Sequence, residues 1–282
     1  MKKLLVATDL SERSTPAIQR AAQLMSQQGG GEWIWLHVVD DGAPDEFVTA
    51  HVQRAEALLQ EQARQVAEQA GSHPRVLVLR GVVEQVIVET AERLQPDLIV
   101  VGLHRPNRLR ELFNGTTVAR LIRACHVPVL RVTRPVSGHY GHAVLALDLS
   151  PASMLALRRG RELGLLDLEH CDVVHAVVPI PVSVLPEVGN EQRLFQSQAR
   201  QAREQLQLGL EKAGVALPEA RLHVPIGEAT QALERVSEDT GADLLVMGTH
   251  ARQGIQRLLL GSVASRMLAD YPGDMLVVPP HG

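Results

Sequence analysis

Apolar and polar positions along the chain alternate between two periods. Residues 3–8 form an apolar run rich in Leu and Val, which reads as a strand. A helix follows over residues 14–28 and is closed by Gly29-Gly30-Gly31. Residues 33–39 give the second strand. Over residues 48–70 the apolar positions Val48, Val52, Ala55, Leu59, Ala63, Val66 and Ala70 recur at helical spacing, so this stretch reads as an amphipathic helix. Strands at 75–80, 97–102 and 128–132 then alternate with helices at 82–95 and 116–125. The second half repeats the order, with its long helix near 191–213, where Leu194, Gln198, Ala202, Leu206 and Leu210 share a face. Such alternation predicts right-handed crossovers and a parallel sheet covered on both faces.

The chain also repeats itself. Residues 4–11 read LLVATDLS and residues 143–150 read AVLALDLS, while WLHVV at 35–39 recurs as VVHAV at 173–177. Asp97-Leu-Ile-Val-Val-Gly102-Leu-His104 returns as Asp243-Leu-Leu-Val-Met-Gly248-Thr-His250, an offset of 146 residues. The same offset carries Gly81 to Gly227, Gly115 to Gly261 and Arg120 to Arg266. A period this long is a whole domain, so the expectation is two domains, at 1–135 and 143–282, joined by Arg134-Pro-Val-Ser-Gly-His-Tyr-Gly-His142. Residues 41–47 and 179–190 read as loops after the second strand of each half.

Composition narrows the function. Aromatics are only 2% of residues, so the 45% hydrophobic content is aliphatic, as buried parallel strands require. The net charge of −4 and the few aromatics argue against nucleic-acid binding. No apolar run is long enough to span a membrane, and Asp9, Glu12 and Arg13 interrupt the apolar N-terminus before it could serve as a signal peptide. A cytoplasmic protein with two free thiols, Cys125 and Cys171, is expected.

In an open parallel sheet, ligands bind beyond the strand C-termini at the switch in strand order. Asp9 and Asp148 end the first strands there, and Gly102 and Gly248 end the fourth. Each of these glycines opens a loop that closes on a second glycine and a hydroxyl, Gly115-Thr116 and Gly261-Ser262, just before a helix. A helix N-terminus offers unpaired N–H groups and partial positive charge, which suits a phosphate. On these residues alone, Gly261-Ser262 reads equally well as a loop ending in a helix cap. Asp148 reads equally well as a ligand contact or as a helix-capping carboxylate.

The segment Gly248-Thr-His-Ala-Arg252-Gln-Gly-Ile-Gln-Arg-Leu-Leu-Leu-Gly261-Ser262-Val263 closely resembles the G-x-x-G, nine-residue, G-[ST] signature of the universal stress protein family. With the strand-end aspartates and the His ending strand two, the resemblance runs over essentially the whole chain, twice. It implies two tandem Rossmann-like α/β domains, each an open five-stranded parallel sheet of order 3-2-1-4-5 with helices on both faces. A pseudo-twofold would bring strands 128–132 and 274–279 together antiparallel. It further implies a site for ATP, or AMP or ADP, with Mg2+ accompanying the nucleotide. Asp148 would face the adenine or ribose, and the backbone at Ala176 and Val177 would meet the adenine. Met247 and Gly248 would line the base and ribose, while His250, Ala251, Gly261, Ser262 and Val263 would hold the phosphates, joined by Arg252. A second, degenerate site would use Asp9, Val38, Gly102, His104, Gly115 and Thr116.

Both halves depart from the signature at its second glycine. Ala251 is a mild change, whereas Arg105 followed by Pro106 disturbs the N-terminal loop, so the C-terminal half is the expected site. His139 and His142, with His170, Cys171 and His175, do not make the tetrahedral ligand set that zinc needs, so no metal site is expected. No nucleophile elbow, HExxH or phosphate-directed GKS/GKT lysine is present, so at most slow ATP hydrolysis is expected. The reading that follows is a nucleotide-dependent regulator of the stress response with an unknown protein partner. It would be a monomer with pseudo-dimeric halves or a homodimer. A scaffold or chaperone-like protein is the alternative, with pockets that are empty or hold an apolar ligand lined by loops 41–47 and 179–190, the latter bringing Val182, Val184, Leu185 and Val188.

Overall fold

In a computed structural model, which describes residues 1–102, 117–179, 191–249 and 260–280, ten strands form one sheet. The first half runs β1 (Lys3–Ala7), α1 (Thr15–Gln27), β2 (Glu32–Val39), α2 (Asp45–Ala70), β3 (Arg75–Arg80), α3 (Val83–Leu94), β4 (Leu98–Val101), α4 (Thr117–Ala124) and β5 (Val129–Arg131). The second runs β6 (Ala143–Ala146), α5 (Pro151–Glu162), β7 (Cys171–Val174), α6 (Glu191–Lys212), β8 (Leu222–His223), α7 (Ala229–Thr240), β9 (Leu244–Gly248), α8 (Ser262–Asp270) and β10 (Asp274–Val278). Their order across the sheet is β3-β2-β1-β4-β5-β10-β9-β6-β7-β8, which is palindromic about its centre. Every named pairing is parallel except the central one, where β5 meets β10 antiparallel through Arg131↔Met275, Leu130↔Leu276 and Val129↔Val277.

Period-two alternation sends successive strand residues to two cores. Leu4 and Val6 join Leu24 and Met25 of α1, Leu59 of α2, Leu155 of α5 and Leu206 and Leu210 of α6 on one face. Leu5 faces the other way, toward the layer of Ile87 of α3, Leu121 and Ile122 of α4, Leu233 of α7 and Met267 of α8. Each fully buried Leu or Ile contributes ~1.5–3 kcal/mol. Trp33 and Trp35 share one face, are both fully buried, and meet edge to face with ring centroids 5.4 Å apart.

One boundary differs from the sequence expectation. The loop expected over 41–47 ends early, because α2 begins at Asp45. Pro44 stands at the N-cap position, and Asp45 and Glu46 place negative charge in the first turn, where the helix dipole favours it.

The halves are joined by buried polar contacts as well as by β5 and β10. Arg131, buried in the last strand of the first half, donates to the carbonyls of Leu268, Tyr271 and Gly273 at 2.6, 2.5 and 3.0 Å. These carbonyls close α8 and the turn after it, where cationic donors are favourable. Burial lowers the Arg131 pKa to about 10, against the opposing pull of Asp274, so the guanidinium stays charged at neutral pH.

Candidate functional site

The C-terminal ends of β6, β7 and β9 and the N-terminus of α8 enclose a cavity of about 310 Å³ in the second half. Asp148, Ala176, Met247, Gly248, Gly261, Ser262 and Val263 all line it, so the fold brings together seven of the expected site residues. Val177 is not among them. Its N–H donates to the Pro225 carbonyl at 2.9 Å and its carbonyl accepts from the Gly227 N–H at 3.0 Å, so sheet pairing occupies its backbone. His250, Ala251 and Arg252 lie outside the described residues, as do His104, Arg105, Pro106, Gly115, Thr116 and the segment 180–190.

The Asp-Leu-Ser turn is built the same way in both halves. Leu10 and Leu149 take left-handed backbone angles, φ 60° and 62°, which for a non-glycine residue cost ~1–2 kcal/mol. The turn folds each aspartate back on its serine. Asp9 accepts from the N–H and hydroxyl of Ser11 at 3.0 and 2.6 Å, and Asp148 accepts from the Ser150 N–H at 3.0 Å. Asp148 is therefore not the cap of α5. That role belongs to Ser150, whose hydroxyl accepts from the Ser153 N–H. A histidine braces each turn: His37 Nδ1 donates to the Thr8 carbonyl at 2.8 Å, and His175 Nδ1 to the Leu147 carbonyl at 2.9 Å. A carbonyl can only accept, so in the neutral ring Nδ1 carries the proton and Nε2 is the acceptor. His175 also lines the cavity.

At the opposite wall, α8 starts at Ser262. Gly261 holds the N-cap position without a side-chain cap, and its carbonyl accepts the first helical bond from the Ser265 N–H at 2.8 Å. Of the pair Gly261-Ser262, Gly261 is thus the capping residue and Ser262 the first of the helix. The N–H groups of Ser262, Val263 and Ala264 have no intrahelical carbonyl and sit at the positive end of the dipole, as a phosphate oxygen requires.

The two glycines of the site have different physical roles. Gly261 has φ −60°, open to any residue, and among the described residues a Cβ placed there would meet nothing within 4 Å, so its backbone makes no demand for glycine. Gly248 is a packing requirement, since a Cβ would lie 2.3 Å from the Ala152 carbonyl oxygen. Gly102 is its counterpart, where a Cβ would lie 2.8 Å from Ser14 Cα. Both let the end of a central strand press against the helix that follows the aspartate turn.

The equivalent cleft of the first half is smaller, about 110 Å³, and is lined by Asp9, Val38 and Gly102 among the expected residues. Apolar side chains dominate it, including Leu36, Val83, Ile87, Val101 and Leu121. Ser153, Ala229, Leu233 and Ala264 line the larger cleft and were missed by sequence reasoning. The offset of 146 residues, applied to Val83 and Val118, would have pointed to Ala229 and Ala264.

Four other described histidines pair with protein groups. Asp172 accepts from His142 Nε2 at 2.6 Å and from His223 Nε2 at 2.5 Å, His170 pairs with Asp167, and His139 with Gln27. Cys125 and Cys171 are free and buried. Burial pushes the Cys171 thiol up to about 12 and also raises that of Cys125.

An open α/β fold, doubled within one chain, with a cleft at the strand ends of each half, is thus on view, and comparison with known proteins places it. The model of the Universal stress protein family matches residues 1–133 and again 139–279, and the chain belongs to that family as a tandem member. It is similar to Universal stress protein A homolog 1 of Coxiella burnetii, with 32% identity over 145 residues, 50% of this chain and 96% of that one. It is also similar to Universal stress protein E of Salmonella typhi, with 23% identity over 297 residues, 99% of this chain and 94% of the relative. Among solved structures, a universal stress protein from Archaeoglobus fulgidus shares the fold at TM-score 0.69 and 19% identity, covering 99% of this chain and 98% of its own. Among the described residues, no helix is long and apolar enough to cross a membrane.

Proposed function

We propose that this stress-response protein binds ATP, or AMP or ADP, in the cleft of residues 143–282 and acts in the cytoplasm as a nucleotide-dependent regulator. The observation that carries the reading is the 310 Å³ cavity, which has the Asp148 turn on one side and the N-terminal N–H groups of α8, with Ser262, on the other. A cavity of this size falls in the range of small-molecule sites. Helix start and hydroxyl suit phosphate oxygens, with Mg2+ as their companion, while Ala176, Met247 and Leu233 offer an apolar bed for a base. The half comprising 1–135 offers a cleft a third as large and is the weaker site. Among the described residues lining the larger cleft, Asp148 and His175 bring the only carboxylate and imidazole, and His175 Nδ1 is engaged with the Leu147 carbonyl. Regulation by the bound state is therefore favoured over rapid hydrolysis.

The test uses full-length protein. Small molecules released from the purified chain are identified by mass spectrometry, and ATP, AMP and adenosine are titrated calorimetrically. One tight site per chain for an adenine nucleotide supports the reading. A co-purifying apolar molecule, with no nucleotide uptake, would favour the scaffold alternative instead.

A further inference from the structure

A glycine inside a helix is costlier than an alanine, so one that stands there calls for a packing reason. α6 carries one, Gly209, between the buried Leu206 and Leu210 that anchor the helix to the core. The reason is Leu149. A Cβ at position 209 would lie 2.5 Å from Leu149 Cδ2, 3.2 Å from Cδ1 and 3.4 Å from Cγ. The glycine thus leaves a notch in α6, and the Leu149 side chain as a whole, not one methyl, fills it.

Leu149 is also the left-handed residue of the aspartate turn, at φ 62°. In a non-glycine residue such a backbone persists only where the surroundings fix it. Three contacts do so here: the Leu147 carbonyl accepts from His175 Nδ1 at 2.9 Å, Ser150 caps α5, and the Leu149 side chain sits in the notch. Asp148 lies within this turn, and its direction follows from it. Its N–H donates to Ser153 Oγ at 3.3 Å and its Oδ1 accepts from the Ser150 N–H at 3.0 Å. The first half has the same turn, with Leu10 at φ 60°, but α2 contains no glycine. Counted from the buried Leu59 and Leu206, Gln62 stands where α6 has Gly209. The notch therefore belongs to the half with the larger cleft. Among the described residues lining that cleft, none lies on α6.

We infer that Gly209 and Leu149 form a lock that aims Asp148 into the cleft, so that α6 sets the affinity of a site it does not line. The inference rests on the nucleotide reading of the C-terminal cleft and adds positioning residues to it. Asp148 stands across the cleft from the start of α8, on the nucleoside side of that reading. A turn that shifts should therefore weaken ATP and adenosine by the same factor, whereas a loss confined to ATP would belong to the helix start.

The experiment titrates ATP and adenosine into the full-length chain by calorimetry, beside melts without ligand. Gly209→Ala puts a methyl into the notch while improving helix propensity. Both ligands should weaken ~10-fold, the worth of one hydrogen bond to a charged group, with a melting temperature equal to or above wild type. Leu149→Gly is the partner variant, because glycine takes the left-handed conformation without an anchor. In that background Gly209→Ala should change neither affinity. Leu149→Ala empties the notch from the other side and should reproduce the loss, which keeps the test decisive should Gly209→Ala not fold. Wild-type affinity in Gly209→Ala or in Leu149→Ala overturns the lock and leaves the nucleotide site standing. So does an equal loss from Gly209→Ala with and without Leu149→Gly, or no binding by Leu149→Gly itself. If wild-type protein takes up neither ATP nor adenosine, the site reading fails and the lock falls with it.

Discussion

The hydroxyl of Tyr140 donates to Asp274 Oδ2 at 2.8 Å, tying the connector between the halves to the last strand of the chain. Asp274 is 1% exposed and its other oxygen accepts from the backbone N–H groups of Thr133 and Arg134 at 2.7 and 3.2 Å. Arg20 of α1 completes the cluster, 3.9 Å from Asp274 and stacked 3.9 Å over the Tyr140 ring. Removing one partner of a buried charge cluster costs ~3–5 kcal/mol. Asp274→Ala should therefore lower the unfolding free energy by that order in urea titrations, and Tyr140→Phe by only ~1.5 kcal/mol, since the other donors remain. Near-wild-type stability of Asp274→Ala would mean that the cluster does not join the halves.

Asp97 supplies an acid-sensitive brace. Although burial raises its pKa, the Lys2 and Lys3 N–H groups, at 2.5 and 2.9 Å, outweigh this and hold the carboxyl below its ordinary value. A carboxylate with a depressed folded-state pKa contributes stability that is complete above its unfolded pKa and is lost as pH falls through the folded value. The melting temperature of wild-type protein should thus drop on acidification below about pH 4, and Asp97→Asn should flatten that limb while lowering the plateau at neutral pH. Parallel curves for the two proteins across the acid range would remove Asp97 from the account.

Much of the fold was legible because aliphatic strands and amphipathic helices write their periods into the sequence, and because duplication wrote them twice. Asp9, Asp148, Gly102 and Gly248 stood out at strand ends for the same reason. Arg131 did not, since an arginine ending an apolar strand gives no hint of three carbonyls more than a hundred residues away. The capping role of Ser150 was hidden behind Asp148, its neighbour in the turn, because both are good acceptors and only backbone angles separate them. The alanines and valines of the two clefts were in plain sight as letters, but which of them line a cavity depends on three elements that sequence distance keeps apart.

The cysteines should be inert in the folded chain. With burial holding the Cys171 thiol at about 12, the thiolate fraction at pH 8 is on the order of 1 in 10,000, and the thiolate is the nucleophile. Native protein should resist iodoacetamide for hours, while urea-unfolded protein should be alkylated at both Cys125 and Cys171. Rapid labelling of Cys171 in the native state, read by peptide mass spectrometry, would contradict the buried placement.

Gly248 and Gly261, which both line the C-terminal cleft, should respond oppositely to substitution. At Gly248 an added Cβ must push against the Ala152 carbonyl 2.3 Å away, which lies in the backbone of α5 and cannot swing aside. Gly248→Ala should therefore cost ~1–3 kcal/mol of stability before any ligand is added. At Gly261 the same change meets no described residue within 4 Å and an ordinary φ, so Gly261→Val should melt close to wild type. Its branched side chain would nonetheless stand beside the α8 N–H groups and keep a phosphate oxygen from approaching them. ATP should then weaken well beyond tenfold, with adenosine little affected. Ser262→Ala isolates the hydroxyl alone. A hydrogen bond to a charged oxygen is worth ~1.5–3 kcal/mol, and each 1.4 kcal/mol is tenfold, so ATP should bind at least ~10-fold more weakly. Because Ser262 is the first residue of the helix and Gly261 holds the N-cap position, the apo melting temperature of Ser262→Ala should stay close to wild type. Calorimetry of the three variants with ATP and with adenosine, beside their melts, separates the roles. If ATP and adenosine weaken together in Gly261→Val and Ser262→Ala, the helix start holds no phosphate.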